Sequence, residues 1–276
     1  MIDSHGTTLD TGSNEPTLEL MRFSGTSDSP SMNPAMATRS ETRIGVVGRI
    51  FFGVAIVVGG LALGGANAPV HAPADAGVPE DSRWEKSIAA FAAADRDHAP
   101  PTGGVVFVGS SSIRLWDDLE TQFHDRRGII KRGFGGAMVP ECTRYLDRIV
   151  LPYKPRLVLL YAGDNDLAEG RQPRDVFNDF VQFVENLHNA LPGARIAFIS
   201  IKPSPARAAL MSKIREANER IQRFTVTRDN LDFIDVFTPM LDAAGHPRRE
   251  LFLTDALHLN GAGYELWKTI IARHLR

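Results

Sequence analysis

The chain is poor in several features that would point to particular functions. Cys142 is its only cysteine, so an intrachain disulfide and a cysteine-based zinc site are both excluded. A lone cysteine of this kind reads as a small buried side chain. Lys and Arg total 31 against 33 Asp and Glu, a net charge of −2. That balance leaves no basic excess to recruit nucleic acid. No segment recurs at a fixed period, which excludes a solenoid or propeller. A long apolar run is also missing. The one uncharged stretch, Ile50 to Ala66, carries five glycines and is marginal for a permanent membrane span, which takes about 20 apolar residues.

What is present divides into a leader and a domain. Residues 1–43 are rich in Ser, Thr, Gly, Asn and Pro with little apolar periodicity, and they read as disordered. Met21, Met32 and Met36 within them are alternative starts. Residues 44–68 read as a secretory signal: Arg39, Arg43 and Arg49 precede the apolar core, and Ala66-Asn67-Ala68 supplies a cleavage site. A retained anchor, tethering the chain to a membrane through residues 44–66, is the second reading, and a soluble buried helix the third. Under the first two, the remainder is secreted, periplasmic or held on the outer face of a membrane. Residues 69–80, rich in Ala and Pro, form a linker, and residues 81–276 form the folded domain.

Within that domain, strand-like and helix-like stretches alternate. Asp81 or Ser82 can cap a helix that places Trp84, Ile88 and Phe91 on one face and stops before Pro100-Pro101. Val105 to Val108 is a β-branched apolar run suited to a strand covered on both faces. A helical stretch with Leu115, Trp116, Leu119 and Phe123 follows. Ile129-Ile130, Arg156–Tyr161, Ile196–Ile201 and Leu231–Val236 are the next four strands. Helices are expected through Tyr145, Ile149 and Val150, through Val176 to Leu187, over 206–225, and from Gly261 to His274. Strands alternating with helices predict an α/β domain, a parallel sheet with helices on both faces.

The polar clusters follow strands at their carboxyl ends, where an open parallel sheet leaves its ligand crevice. Gly109 ends the first strand and Ser110, Ser111 and Ser112 come next. A small residue beside a nucleophile lets the chain turn sharply and lift a hydroxyl above the sheet. Taken alone, the stretch fits equally a Gly/Ser-rich connection with no chemistry. A serine needs a base, and His258 has the best context among eight histidines, with Asp255 three residues earlier in a loop. The same spacing at Asp95 and His98 lies before the first strand and reads as a solvated surface pair. Donors for an oxyanion are available from the backbone N–H groups of Ser111 and Gly136 and from the Asn165 side chain. Asp164 and Asp166 lack a nearby histidine or third carboxylate, so no metal is assigned. Trp116, Phe134 and Met138 lie near the strand ends. They are candidates for an acyl pocket, and equally for ordinary core positions.

These blocks in this order resemble the SGNH hydrolase superfamily, the GDSL esterases and lipases. Gly109-Ser110-Ser111 is similar to its first block, Gly133 to Gly136 to its glycine block, Gly163 to Asn165 to its Gly-x-Asn-Asp block, and Asp255 to His258 to its Asp-x-x-His block. One departure stands out: Ser110 occupies the place of the Asp that gives the family its name. The resemblance implies a flavodoxin-like three-layer α/β/α sandwich with a five-stranded parallel sheet in the order 2-1-3-4-5. It also implies hydrolysis of short-chain carboxylic esters through an acyl-serine intermediate without a cofactor, with a small-molecule or carbohydrate ester as partner. Removal of acetyl from a polysaccharide by the same triad and a non-catalytic binding module on this fold are the other readings. It assigns Ser111 as nucleophile, His258 as base and Asp255 as its partner, with Ser111, Gly136 and Asn165 at the oxyanion.

Overall fold

In the computed structural model, residues 82–123 and 128–275 are described. The chain divides into Met1–Ala68 and Pro69–Arg276, and every element below belongs to the second unit. The expected disorder over 1–43, the signal or anchor over 44–68 and the linker over 69–80 lie outside the described residues. Among those described, no helix is long and apolar enough to cross a membrane.

Five strands form one parallel sheet in the order β2-β1-β3-β4-β5. They are β1 Val105–Gly109, β2 Ile129–Gly133, β3 Leu157–Tyr161, β4 Arg195–Ile199 and β5 Leu231–Ile234. The register pairs Val105 with both Ile129 and Leu157. Alternate side chains along a strand face opposite sides of the sheet, so this alignment divides the core in two. Val106, Val108, Ile130, Val158, Leu160, Ile196 and Phe198 point to one side, into a cluster shared with six helices. Those helices are α1 Ser82–Asp97, α4 Val139–Arg144, α5 Leu146–Ile149, α6 Asp164–Ala168, α7 Pro173–Ala190 and α8 Met211–Thr225. Val105, Phe107, Leu157, Leu159, Tyr161 and Ile199 point to the other side, against α2 Ser111–Arg114, α3 Leu119–Gln122 and α9 Gly261–Ile271. Trp84 and Ile88 are buried on α1 as the spacing predicts, and Phe91 packs against the same cluster.

The element types agree with the expectation, and the differences are local. The helix predicted around Leu115 to Phe123 is two single turns, α2 and α3, because Trp116 leaves the helix to bury its ring and donate to Gln122 at 2.9 Å. The helix through Tyr145 is likewise split, into α4 and α5 Leu146–Ile149. A 3₁₀ turn over Pro205–Leu210 replaces the start of the helix expected at 206. β4 stops at Ile199 because the Asn218 side chain takes both the N–H and the C=O of Ile201. β5 stops at Ile234 because the N–H groups of Val236 and Phe237 go to the Ser200 hydroxyl.

Asp95 corrects the reading of a solvated Asp95–His98 pair. Its carboxylate turns inward, accepting from the Arg132 guanidinium and the Tyr153 hydroxyl. Arg132 is buried, and an isolated buried guanidinium would be far costlier than a paired one. Burial pushes the Tyr153 hydroxyl up to about 12.

Candidate active site

β1 sits between β2 and β3, so the chain leaves it in one direction and returns on the other side. The crevice at such a switch point is where α/β sheets bind ligands. Gly109 ends β1 at φ +148°, where a Cβ would lie 1.9 Å from the Tyr161 carbonyl oxygen. Only glycine lets the two backbones approach this closely. The chain then passes through extended Ser110 and enters α2 at Ser111.

The three serines part company here. The Ser110 and Ser112 hydroxyls are buried and have no hydrogen-bond partner among the described residues. Ser111 Oγ lies 3.0 Å from His258 Nε2. On the other side of the ring, His258 Nδ1 lies 2.7 Å from Asp255 Oδ2. Asp255 Oδ1 accepts the N–H groups of Leu257 and His258 at 2.9 and 3.0 Å. These backbone bonds, the Leu257 one first, and the His258 ring hold its carboxyl down at about 2. Asp255 is therefore ionised at every physiological pH although its side chain is almost half exposed.

The loop carrying His258 is fixed from both ends. Leu253 donates to the His258 carbonyl at 2.8 Å, Phe252 bridges Leu259, and Asn260 caps α9 through Gly263. Tyr264 on α9 donates to the Ser112 carbonyl at 3.0 Å. This ties the helix after the histidine to the turn that bears the serine.

Oxyanion donors surround the same turn. Among the described residues, neither the Ser111 N–H nor the Gly136 N–H is given to a protein acceptor. Gly136 adopts φ +74°, and Trp84 anchors its neighbour by donating to the Gly135 carbonyl at 2.9 Å. The Asn165 amide is held at both ends: Oδ1 accepts from Arg207 at 2.8 Å and Nδ2 donates to the Ala137 carbonyl at 3.0 Å. One Nδ2 hydrogen is left over.

Behind Asn165 lies an ion cluster. Asp164 meets Lys202 at 3.1 Å and Arg207 at 2.9 Å. Burial opposes the charge on Asp164, yet the two cations hold its carboxyl below the ordinary value. Burial likewise opposes the Lys202 ammonium, and Asp164 and the Tyr161 hydroxyl keep it above its usual value. Asp166 is different. Its Oδ1 accepts the Val139 N–H at 3.2 Å and Arg171 attracts its charge, but burial outweighs both and pushes its carboxyl up to about 7.

Ser111, His258 and Asp255 thus form one hydrogen-bonded line, with Gly136 on the loop after β2 and Asn165 in the first turn of α6 Asp164–Ala168 at the same sheet edge. Trp116 and Phe134 are corrected to core residues. Both are under 2% exposed, Trp116 packed on Tyr264 and Phe107, and Phe134 on Trp84 and Tyr145, so neither ring offers surface to an acyl group. Met138 is half-buried beside Val139. Sequence reasoning missed Lys202 and Arg207. Lys202 carried a signal, as a basic residue directly after a buried strand at the ligand edge. Arg207 carried none. Among the described residues, no three His, Cys, Asp or Glu side chains converge as metal ligands.

Residues 102–266 match the model of the GDSL-like lipase/acylhydrolase family. The chain belongs to this family. Hydrolase activity is the activity that membership implies. A search of curated proteins found no match. Among solved structures, the GDSL-family chain is similar to a protein from Streptococcus pneumoniae provisionally named a platelet activating factor. The TM-score is 0.63 and the identity 22%, over 71% of this chain and 94% of that one. A GDSL-like lipase from Bacteroides thetaiotaomicron aligns at TM-score 0.59 and 22% identity, over 68% and 96% of the two chains. A variant of an acetyl-xylooligosaccharide esterase from Geobacillus aligns at TM-score 0.52 and 12% identity, over 63% and 95%. At these identities the likeness is one of fold.

Proposed function

We propose that this GDSL-family hydrolase cleaves short-chain carboxylic esters through an acyl-serine intermediate. Ser111 Oγ attacks the ester carbonyl while His258 Nε2 takes its proton, and His258 then gives that proton to the leaving alcohol. Water, activated by the same nitrogen, attacks the acyl-enzyme and releases the acid. Asp255 holds Nδ1 protonated, so that Nε2 faces the serine as an acceptor, and stabilises the imidazolium once it forms. The oxyanion takes the Ser111 N–H, the Gly136 N–H and the remaining Asn165 Nδ2 hydrogen, each donor lowering the barrier by about 3–4 kcal/mol.

One observation carries the proposal: the unbroken line from Ser111 Oγ through the His258 ring to Asp255, at 3.0 and 2.7 Å. The half-exposed carboxylate and half-buried serine suit a shallow site and acyl groups from acetyl to butyryl. The test is p-nitrophenyl acetate turnover by the wild type and Ser111→Ala, with labelling by a fluorophosphonate. The expected result is loss of turnover by about 10⁴-fold or more and loss of a label that maps to Ser111. Full activity in Ser111→Ala would refute the nucleophile.

The same groups would remove acetyl from a polysaccharide, and the fold shared with an acetyl-xylooligosaccharide esterase supports that second reading. Turnover of acetylated xylo-oligosaccharide against p-nitrophenyl acetate separates the two. An extracytoplasmic site of action, reached through the segment at 44–68, suits either substrate. Mass spectrometry of the exported protein tests it, a mature chain starting at Pro69 being the expected result.

A further inference from the structure

Two cations that approach the glycine loop of the site make no ion pair among the described residues. Arg114 lies three residues after Ser111 on α2, a spacing that puts both on one helix face. Its Nε is 3.3 Å from the position a Cβ on Gly135 would take. Arg83 approaches from α1: its Nη2 is 2.7 Å from where a Cβ on Gly136 would be. The Arg83 guanidinium rests on the Trp84 ring, 4.7 Å from the centroid, and Trp84 is the residue that pins Gly135. The guanidinium is thus held by stacking on a ring that is itself fixed to the loop.

Neither side chain makes a hydrogen bond or ion pair among the described residues, and both residues are exposed. Several arginines of the domain are paired instead. Arg132 is matched to Asp95, Arg148 to Glu85, Arg171 to Asp179 and Arg207 to Asp164. Arg83 also precedes residues 102–266, the segment that matches the family, so family membership says nothing about it. Two guanidiniums set against adjacent glycines of the oxyanion loop, unpaired among the described residues, suit a carboxylate or phosphate.

We propose that Arg83 and Arg114 form an anion subsite, and that the preferred substrate is an ester bearing a carboxylate or phosphate close to the scissile carbonyl. This rests on the esterase reading above. The guanidiniums hold the charged end of the substrate while Gly136 and Ser111 take the oxyanion.

The test compares matched pairs at low ionic strength. p-Nitrophenyl butyrate and mono-p-nitrophenyl succinate differ by a carboxylate on the acyl side, and phenyl acetate and 3-carboxyphenyl acetate by one on the alcohol side. In the wild type, one charged ester is expected to exceed its neutral partner about tenfold in kcat/KM, and the pair that does so shows which side carries the charge. The ratio should fall toward one in 0.5 M NaCl and in Arg83→Gln/Arg114→Gln. Ratios near one in the wild type, or a ratio that the double substitution leaves intact, overturn the subsite. An equal loss on charged and neutral esters overturns it too, since the arginines would then serve the oxyanion alone. If neither neutral ester is turned over, the esterase reading itself has failed. Calorimetric titration of Ser111→Ala with the succinate ester then decides the subsite. Binding that the double substitution weakens supports it, and no preference over the butyrate ester rules it out.

Discussion

Asp166 gives the sharpest quantitative test of the structure. Its side chain is fully buried. Oδ1 accepts one backbone N–H, from Val139, and Oδ2 has no partner. Burial therefore outweighs the hydrogen bonding, and the carboxyl rises from 3.8 to about 7. Between pH 4 and 7 the unfolded chain has lost this proton while the folded chain keeps it. The unfolded state then binds fewer protons, so stability must fall as pH rises through that window and level off above about 7. At 1.36 kcal/mol per pH unit, the gap between 3.8 and about 7 amounts to roughly 4 kcal/mol. Asp166→Asn keeps an oxygen for Val139 and cannot ionise, so this component vanishes. Other titrating groups affect both proteins alike, and the difference between the two curves isolates Asp166. Urea unfolding at half-unit steps from pH 4.5 to 8 would measure it. About 3 kcal/mol of this is lost between pH 4.5 and 8, so with an m-value of about 2–3 kcal/mol/M the wild-type midpoint should fall by roughly 1–1.5 M relative to Asp166→Asn. Parallel curves would refute the reasoning, because they would mean that Asp166 reaches solvent or a cation.

Two further outcomes concern the chemistry. Asp255→Asn should lower kcat by about 10²–10³ with KM little changed, less than the about 10⁴ for a buried triad carboxylate, because solvent screens a side chain almost half exposed. Steady-state kinetics decides it, and a loss below threefold would remove Asp255 from the mechanism. Since Asp255 is held at about 2, it stays ionised above pH 3, and wild-type activity lost on acidification between pH 4 and 7 must come from another group. Asn165→Ala should cost about 10²–10³ in kcat with KM nearly constant, the signature of a donor that acts on the oxyanion alone. A raised KM at unchanged kcat would instead make Asn165 a substrate-binding residue.

Much of the domain could be read without coordinates. Val105–Val108 and Leu157–Leu160 are apolar on both faces, and such runs survive only between two layers. Each is followed by small or polar residues, so the sheet edge that holds the polar clusters was legible too. Trp84, Ile88 and Phe91 announced the face of α1 by spacing. Asp95 was misread because its true partners, Arg132 and Tyr153, are 37 and 58 residues away, and local spacing favoured His98. For Trp116 and Phe134 the sequence leaves an acyl pocket and the core both open, and burial decides for the core. Sequence position near a strand end does not say whether a ring points up into the crevice or down into the core.

What the sequence determined by itself was the alternation of strands and helices and the set of loops at the ligand edge. Both follow from patterns within a few residues, where pleat and helical turn dictate which side chains are buried. The choice of Ser111 among three adjacent serines was implied by the family resemblance, while the packing of the layers supplied its contact with His258, the bracing of Asp164 and Asn165 by Lys202 and Arg207, and the approach of Arg83 to Gly136 from a helix outside the family segment. Each of these is a contact across 37 residues or more of chain. Such contacts are set by how layers pack around the sheet, and no local period encodes that distance.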